Sequence, residues 1–284
     1  MQTATTLEVL RSAVDALRAG RKRLALVPTM GALHEGHLTL VREARAHADA
    51  VAVSIFVNPK QFGPNEDLAA YPRRMAEDSA LLEAEGVDLL WAPTVAVMYP
   101  AGFATNVAVA GVGDGLCGAA RPGHFDGVAT VVLKLFNQVR PDVALFGEKD
   151  WQQLGVIRRM ARDLDLARPH ADAVLGVPTV READGLALSS RNQYLSPQAR
   201  SQAAALPQAM RESVIALVAG SAVAPTLAAL EAHLLQAGFD HVDYAALADA
   251  ESLAPLDRLT DAPARLLVAA RIGGTRLIDN MGVT

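Results

Sequence analysis

The chain has 284 residues, of which 51% are hydrophobic and 20% charged, and its formal net charge is −5. This composition is that of a globular protein and excludes an intrinsically disordered chain. The mildly acidic balance argues against a nucleic-acid-binding protein, which would more often be basic. No stretch approaches the roughly 20 apolar residues of a transmembrane helix, and the N-terminal segment lacks the apolar run of a signal peptide. We expect a cytoplasmic enzyme without nucleic-acid or membrane partners, and the single Cys117 suits a reducing compartment.

The first 178 residues alternate short apolar runs with helical stretches. Alternation of this kind predicts an α/β domain with a parallel sheet and helices on both faces. The predicted elements, in chain order, are an amphipathic helix in 1–20, a strand at 24–28, a helix at 37–48, a strand at 51–57, a helix at 73–85, a strand at 87–91, a helix at 128–139, a strand at 143–146, a helix at 151–164 and a strand at 173–177.

The last hundred residues have a different pattern. A long helical stretch begins with Ser196 as the N-cap and Pro197 at the first helical position. This part predicts a smaller α+β domain, and we place the boundary near Pro178, which divides the chain into 1–178 and 179–284. Its further predicted elements are a helix at 224–236 and strands at 242–245, 266–270 and 276–278.

The most informative segment follows the strand predicted at 24–28. A strand that leads into a helix N-terminus at the carboxyl edge of a parallel sheet offers free backbone N–H groups and the positive end of a helix dipole, which suit phosphate. His34 and His37 lie three residues apart, so on a helix they share a face and can contact two oxygens of a triphosphate. The whole segment consists of Met30, Gly31, Ala32, Leu33, His34, Glu35, Gly36 and His37.

Other interpretations of the two histidines stay open from the residues alone. Histidines at a helix start can simply cap the helix or lie on the surface. A zinc site is disfavoured, because the H-E-x-x-H motif places its second histidine four residues after the first, whereas His37 follows His34 by three. The segment also lacks the lysine of a Walker A loop.

Two further polar clusters lie next to predicted strands or helices. The first carries a lysine, a flexible cation suited to an anionic ligand, and Gln153 follows one helical turn later. The second brings two hydroxyls and an arginine together, which can donate to several phosphate oxygens. Taken singly, the first cluster fits an ordinary capped strand-to-helix loop better than a site, and the second fits a turn before the next helix equally well. The two clusters are Gly147, Glu148, Lys149 and Asp150, and Leu188, Ser189, Ser190 and Arg191.

Polar amides follow the strand predicted at 51–57. Asn58 and Gln61 therefore fall on the same ligand-binding edge of the sheet, where they suit the hydroxyls and carboxylates of a small substrate. The following residues, 63–75, predict a long loop that can close over a bound substrate.

Read in order, these segments closely resemble the pantothenate synthetase (pantoate–β-alanine ligase) family of the nucleotidyltransferase superfamily. The resemblance runs over nearly the whole chain. One such motif would be a weak signal, whereas all of them in the family's order make a chance resemblance improbable. The matching segments are 28–37, 54–62, 71–73, 121–125, 146–150, 178–182 and 188–195.

The resemblance implies a fold and a reaction. The family has a Rossmann-like N-terminal domain, a smaller C-terminal domain that acts as a lid, and a cytoplasmic homodimer as its usual form. It joins (R)-pantoate to β-alanine and converts ATP to AMP and pyrophosphate through a pantoyl adenylate. Mg²⁺ would neutralise the triphosphate, partly through water molecules, and its protein ligands stay open.

The resemblance also implies roles for the candidate residues. Residues 30–37 line the ATP site with His34 and His37 at the phosphates, and His37 matches the position usually assigned as proton donor. Gln61 and Gln153 match pantoate-binding positions, and Gln61 is also placed near β-alanine. The remaining ATP contacts are Gly147, Glu148, Lys149, Asp150, Val180, Leu188, Ser189, Ser190 and Arg191.

Two rival functions compete with this one. The first is a nucleotidyltransferase of the same fold with another acceptor, and the presence of Gln61 and Gln153 beside both ATP motifs argues against it. The second is a non-catalytic nucleotide-binding regulator. The presence of Lys149 and both histidines argues against it. From the residues and the resemblance together, we expect His34, His37, Lys149 and Arg191 to stabilise charge on the phosphates.

Overall fold

The computed structural model describes residues 1–64 and 66–283. Asn65, in the loop predicted at 63–75, and Thr284, at the end of the segment 179–284, lie outside the described residues. Within the described part, no helix is both long enough and apolar enough to cross a membrane. The strands of the first half are β1 Gln2–Ala4, β2 Leu24–Thr29, β3 Ala50–Ile55, β4 Leu89–Trp91, β5 Val143–Gly147 and β6 Val174–Val177, and its helices are α1 Leu7–Leu17, α2 Glu35–His47, α3 Met75–Ala84, α4 Val95–Met98, α5 Cys117–Ala120, α6 His124–Val139 and α7 Trp151–Asp163.

A parallel sheet forms the centre of the first half and confirms the predicted fold class. Among the described residues its six strands run in the order β1-β4-β3-β2-β5-β6. The sequence interpretation of 1–20 as one helix was wrong at its start, because Gln2–Ala4 pairs in parallel with Leu89–Trp91 at the sheet edge. Three residues are too few to show the alternating periodicity of a strand. The helical periodicity of α1, which follows directly, therefore dominated the interpretation of this segment.

The order of the strands places a ligand crevice between β2 and β5. From β2 the chain builds outwards through β3 to β4, and it then returns to the other side of β2 to add β5 and β6. Where the direction of winding reverses, the loops after neighbouring strands diverge and leave a crevice at the carboxyl edge of the sheet. The loop after β2 leads into α2, and the loop after β5 leads into α7.

Helices cover both faces of the sheet, and each face has its own apolar core. One core packs α1, α6 and α7 against the sheet, with Phe136 and Trp91 fully buried. The other packs α2 and α3 against the opposite face, with Val41 and Leu82 at its centre. β2 and β3 are buried along almost their whole length, which explains why the sequence shows continuous apolar runs there.

The last hundred residues form helices and an antiparallel sheet around a separate apolar core. Ser196 is the N-cap of α8 and accepts a hydrogen bond from the Ala199 N–H, as predicted. The predicted single long helix divides into two at Ala204. The strands are longer than their apolar centres indicated, because polar residues occupy their ends. The elements are α8 Pro197–Ala203, α9 Ala205–Val218, α10 Val223–Gln236, β7 His241–Asp249, β8 Ala264–Ile272 and β9 Thr275–Val283.

Two adjacent polar residues of β9 hold loops on both sides of the boundary near Pro178. The carboxylate of Asp279, whose side chain is 0% exposed, pairs with Arg181 through two hydrogen bonds of 2.6 and 2.9 Å. The amide of Asn280 donates to the backbone carbonyls of Glu148 and Lys149, both at 2.9 Å. One strand therefore holds two loops that belong to different ends of the predicted site.

Removal of the Asp279 carboxylate is expected to destabilise the protein strongly. Asp279→Ala leaves the partly buried guanidinium of Arg181 without its bidentate partner, and breaking such a pair costs about 3 to 5 kcal/mol. Urea unfolding measures the loss. The matched control is Asp15→Ala, since the Asp15–Arg140 pair has side chains 70% and 51% exposed and should cost less than about 1 kcal/mol. Equal losses in the two variants would contradict the structural role of Asp279.

Candidate active site

A tight turn after β2 carries the first candidate segment. Gly31 and Ala32 have positive φ angles of 82° and 50°, and the carboxylate of Asp78 accepts hydrogen bonds from the N–H groups of Ala32 (2.9 Å) and Leu33 (2.8 Å). A Cβ atom on Gly31 would lie 2.9 Å from Asp78 Oδ2, so only glycine fits there. Sequence reasoning missed Asp78, which lies on α3 without any neighbouring motif.

The two histidines cap the start of α2. His34 Nδ1 accepts a hydrogen bond from the Gly36 N–H (3.2 Å), and His37 Nδ1 accepts one from the His34 N–H (3.3 Å). A backbone N–H can only donate, so in the neutral form both rings carry their proton on Nε2. The capping interpretation and the phosphate interpretation are therefore compatible, because capping through Nδ1 leaves an N–H donor on the other side of each ring.

Both imidazoles are held in the neutral form. Burial lowers the pKa of His34 to about 4, and the positive charge of Lys149 is the second cause. Burial also lowers the pKa of His37 to about 3, with His34 and Lys149 as further causes. The ring centroids are 4.1 Å apart, which disfavours two adjacent positive charges. Without a ligand the pair offers hydrogen-bond donors and no net charge at neutral pH.

The loop after β5 brings a cation to the same crevice. Lys149 lies on a single 3-10 turn, Glu148–Asp150, and its Nζ is 3.9 Å from the Asp150 carboxylate, a loose ion pair. The backbone carbonyls of this turn are the ones that Asn280 holds. Asn280 was missed by sequence reasoning, because its partners are more than 130 residues away.

The third candidate segment lies on a hairpin that β9 supports. The Leu188 N–H donates to the Val180 carbonyl (3.0 Å), and Ser189 Oγ accepts from the Arg191 N–H (3.3 Å). The Arg191 guanidinium pairs with Asp67 through bonds of 3.0 and 3.1 Å. Asp67 belongs to the loop predicted at 63–75. Tyr71 belongs to the same loop, and its hydroxyl lies 3.3 Å from Ser190 Oγ.

The amides after β3 form a chain of hydrogen bonds. Asn58 is completely buried and donates to Gln61 Oε1 at 3.0 Å. Gln61 in turn donates through Nε2 to the sulfur of Met30 at 3.0 Å. The backbone carbonyl of Gln61 also faces His124 Nδ1 at 2.8 Å, and burial lowers the pKa of His124 to about 4.

The three segments and the amides surround a common cavity at the crevice between β2 and β5. It has a volume of about 230 Å³ and adjoins a second cavity of about 360 Å³, with Lys149 and Arg191 lining both. The candidates Gly31, Ala32, Leu33, Glu35 and Glu148 are not among the residues that line the first cavity. The candidates that line it are Met30, His34, Gly36, His37, Asn58, Gln61, Gly147, Lys149, Asp150, Gln153, Val180, Leu188, Ser189, Ser190 and Arg191.

The candidates outside the cavity wall have other contacts. Glu35 forms an exposed ion pair with Arg42, and Glu148 lies 3.5 Å from Arg265, whose guanidinium stacks over the Trp151 ring at 3.3 Å. Gly31, Ala32 and Leu33 build the turn that Asp78 supports. These residues shape the loops, whereas imidazoles, amides, hydroxyls, apolar side chains and the cations Lys149, Arg191 and Arg121 line the cavity itself, with Arg121 paired to Glu66.

Known proteins resemble this chain over its full length. A protein from Novosphingobium aromaticivorans named pantothenate synthetase is 70% identical over 100% of this chain and 99% of its own length. The crystal structure of pantothenate synthetase from Thermus thermophilus superposes with a TM-score of 0.92 at 50% identity, covering 100% of this chain and 99% of that one. A pantoate-beta-alanine ligase from Francisella tularensis, complexed with beta-gamma ATP and beta-alanine, has a TM-score of 0.82 at 32% identity over 99% and 97% of the two chains.

The family model gives the same result. The model described as pantoate-beta-alanine ligase matches residues 2–282 of this chain, a span that contains every candidate residue. This match includes the C-terminal sheet with Asp279 and Asn280. It also includes the capped histidines and the cations Lys149 and Arg191 at the crevice. The chain belongs to the pantoate-beta-alanine ligase family.

Proposed function

We propose that this chain joins (R)-pantoate to β-alanine in two steps that share the cavity between β2 and β5. A carboxylate and an amine do not condense unaided in water. The pantoate carboxylate first attacks the α-phosphorus of ATP, and pyrophosphate leaves. The β-alanine amine then attacks the acyl carbon of the adenylate and loses a proton, and AMP leaves. The observation that carries the proposal is the convergence of His34, His37, Lys149 and Arg191 with Gln61 and Gln153 on one cavity.

The phosphate-facing groups stabilise charge by position. His34 and His37 each offer an Nε2–H donor, while Lys149 and Arg191 supply the positive charge that the neutral imidazoles lack. Such preorganised donors lower the barrier because they are already oriented before charge develops on the leaving pyrophosphate. The nucleotide complex of the Francisella relative supports ATP as the ligand of this region.

The amide side of the cavity is proposed to bind pantoate. Gln61 and Gln153 line it together with apolar residues of α6, such as Val128, Val131 and Leu135. Amides suit the hydroxyl and carboxylate groups of pantoate, and the apolar surface suits its geminal methyl groups. Asn58, which is buried and held by protein partners, acts on the substrate through Gln61. β-Alanine, present in the Francisella complex, follows as the second substrate.

Mg²⁺ is proposed to accompany ATP. Within residues 1–64 and 66–283, no three histidine, cysteine, aspartate or glutamate side chains cluster as a metal site. Mg²⁺ binds commonly through substrate phosphates, waters and one or two carboxylates, and Asp150 supplies a carboxylate at the cavity beside Lys149. The donor set fits an ion held mainly by the nucleotide, which would neutralise the triphosphate.

Domain closure is also a proposal. We place the domains at 1–178 and 179–284, because the parallel sheet ends with Val177 and the second apolar core begins with Leu186. The second cavity lies between the two parts, so movement of the C-terminal part, together with the loop at 63–75, would cover the nucleotide and exclude water from the adenylate. A cytoplasmic homodimer is proposed from family resemblance.

A stepwise assay tests the reaction. The purified protein with ATP and Mg²⁺ should release pyrophosphate when pantoate is added, and it should release AMP and form the amide only after β-alanine follows. A nucleotidyltransferase with another acceptor would show no dependence on pantoate, and a nucleotide-binding regulator would show no turnover at all. Absence of pantoate-dependent pyrophosphate release defeats the proposed function.

Loss of the Lys149 charge is expected to slow the first step by about a hundredfold, the effect of removing one well-placed donor to a transition state. Lys149→Met keeps the length and the apolar stem of the side chain. Single-turnover formation of the adenylate measures the effect. The control is Lys22→Met, because Lys22 is exposed and precedes β2 at the opposite edge of the sheet. A folded Lys149→Met protein with the wild-type rate removes Lys149 from the mechanism.

The neutral state of the two histidines predicts how their protonation depends on pH. In the ligand-free protein His34 and His37 should stay uncharged at pH 6, because burial and Lys149 lower their pKa values from 6.5 to about 4 and about 3. Added ATP brings negative charge to the rings, which should raise both pKa values. Lys149→Met should also raise the pKa of His34 without ATP. NMR titration of the ring carbons, assigned with His34→Gln and His37→Gln, measures these shifts, and ordinary titration near 6.5 without ligand would contradict them.

A further inference from the structure

We infer that Tyr99 is a positioning residue for substrate binding, because its hydroxyl reinforces the orientation of the Asn58 amide, which in turn orients Gln61. This inference rests on the proposed role of Gln61 in binding pantoate. Tyr99 follows α4 and is 41 residues from Asn58 in the sequence. It belongs to none of the three candidate segments and is not among the residues that line the cavity.

The orientation of the Asn58 amide is unambiguous. Its Nδ2 faces the backbone carbonyl of Gly127 at 3.1 Å, which can only accept a hydrogen bond. Its Oδ1 faces the backbone N–H of Lys60 at 3.2 Å, which can only donate. The oxygen and nitrogen of a side-chain amide are assigned from such partners, and here both ends give the same assignment. Asn58 is 0% exposed, so water does not compete for these positions.

Tyr99 reinforces this orientation. Its hydroxyl donates to Asn58 Oδ1 at 2.7 Å, the shortest of the bonds that Asn58 makes. Burial raises the pKa of Tyr99, so the hydroxyl keeps its proton and remains a donor. The ring is held edge-on to Phe103, with centroids 5.1 Å apart, and beside Phe56 at 6.1 Å. The donor therefore approaches from a ring whose own position is set by packing.

The orientation of the Gln61 amide is set by its hydrogen bond with Asn58. Since Asn58 Nδ2 donates to it at 3.0 Å, the Gln61 atom at that position is the oxygen, Oε1. The Nε2 group then lies on the other side, beside the Met30 sulfur at 3.0 Å, and both Gln61 and Met30 line the cavity. Thioether sulfur is a weak acceptor, so a substrate oxygen is a better partner for this N–H group.

The main chain at Gln61 is equally constrained. Helix α6 approaches so closely at Gly127 that a Cβ atom there would lie 2.2 Å from the Lys60 carbonyl oxygen. The Gln61 carbonyl is held by His124 at 2.8 Å and by Arg121 Nη2 at 3.3 Å. Backbone and side chain are therefore held independently, and the side-chain part depends on the path from Tyr99 through Asn58.

This arrangement selects the chemistry of the substrate group. An N–H donor at Gln61 Nε2 favours an acceptor, such as a carboxylate or hydroxyl oxygen of a 2-hydroxy acid. The opposite amide orientation would place an oxygen against the carboxylate and repel it. Loss of the Tyr99 hydroxyl leaves Asn58 Oδ1 with Lys60 as its partner, so the fold survives while the amide orientation is less strongly held.

The test is Tyr99→Phe, which removes one oxygen atom and keeps the ring. We expect the KM for pantoate to rise about five- to tenfold, the scale of one hydrogen bond, while the KM for ATP and the kcat at saturating pantoate change less than about twofold. The matched control is Gln138→Met, which removes the partner of the Trp91 indole N–H, at 3.0 Å, beside the same short helix. It should leave the KM for pantoate unchanged.

A double variant separates positioning from general structural damage. In a Gln61→Ala background the Tyr99 hydroxyl has no amide left to orient, so Tyr99→Phe should add no further rise in the KM for pantoate. A pantoate KM within about twofold of wild type, an equal rise for ATP, or the same rise in the Gln61→Ala background overturns the inference. Wild-type protein without pantoate-dependent turnover would instead defeat the proposed function, and with it this inference.

Discussion

The relative position of the two cationic segments depends on a pair of adjacent side chains in β9. Asp279 holds Arg181 at the base of the hairpin that leads to Arg191, and Asn280 holds the carbonyls of the turn that carries Lys149. Successive residues of a strand face opposite sides, so a single dipeptide can reach both loops. The antiparallel sheet is therefore part of the framework of the candidate site.

The charge of the site follows from what this framework brings together. The helix start after β2 contributes N–H donors but no charge, because burial keeps both imidazoles neutral and Lys149 disfavours their protonation. Positive charge must then come from other elements, and it does so from the loop after β5 and from the hairpin. An acidic chain with a net charge of −5 thus concentrates the cations Lys149, Arg191 and Arg121 at one crevice, as the proposed binding of a polyanion requires.

The sequence allowed the prediction of elements and motifs whose signals are local. Buried strands such as Ala50–Ile55 are continuous apolar runs, and the polar segments after them lie at the edge where parallel strands end. Asp78, Tyr99 and Asn280 could not be found in this way, since each is a single residue without a motif and its partners are distant in sequence. The short strand β1 was missed because pairing with β4, and not periodicity, defines it.

The ligand-free site is already balanced electrostatically, and this balance constrains how a nucleotide binds. Asp67 neutralises Arg191 through two hydrogen bonds, and the side chain of Tyr71 lies against the same hairpin. Under the proposed function, a phosphate group that bound Arg191 would compete with the Asp67 carboxylate and weaken this ion pair, because two anions beside one guanidinium repel each other. The loop that carries Asp67 would then respond to nucleotide directly, since Asp67 ties this loop to the guanidinium that the phosphate would bind.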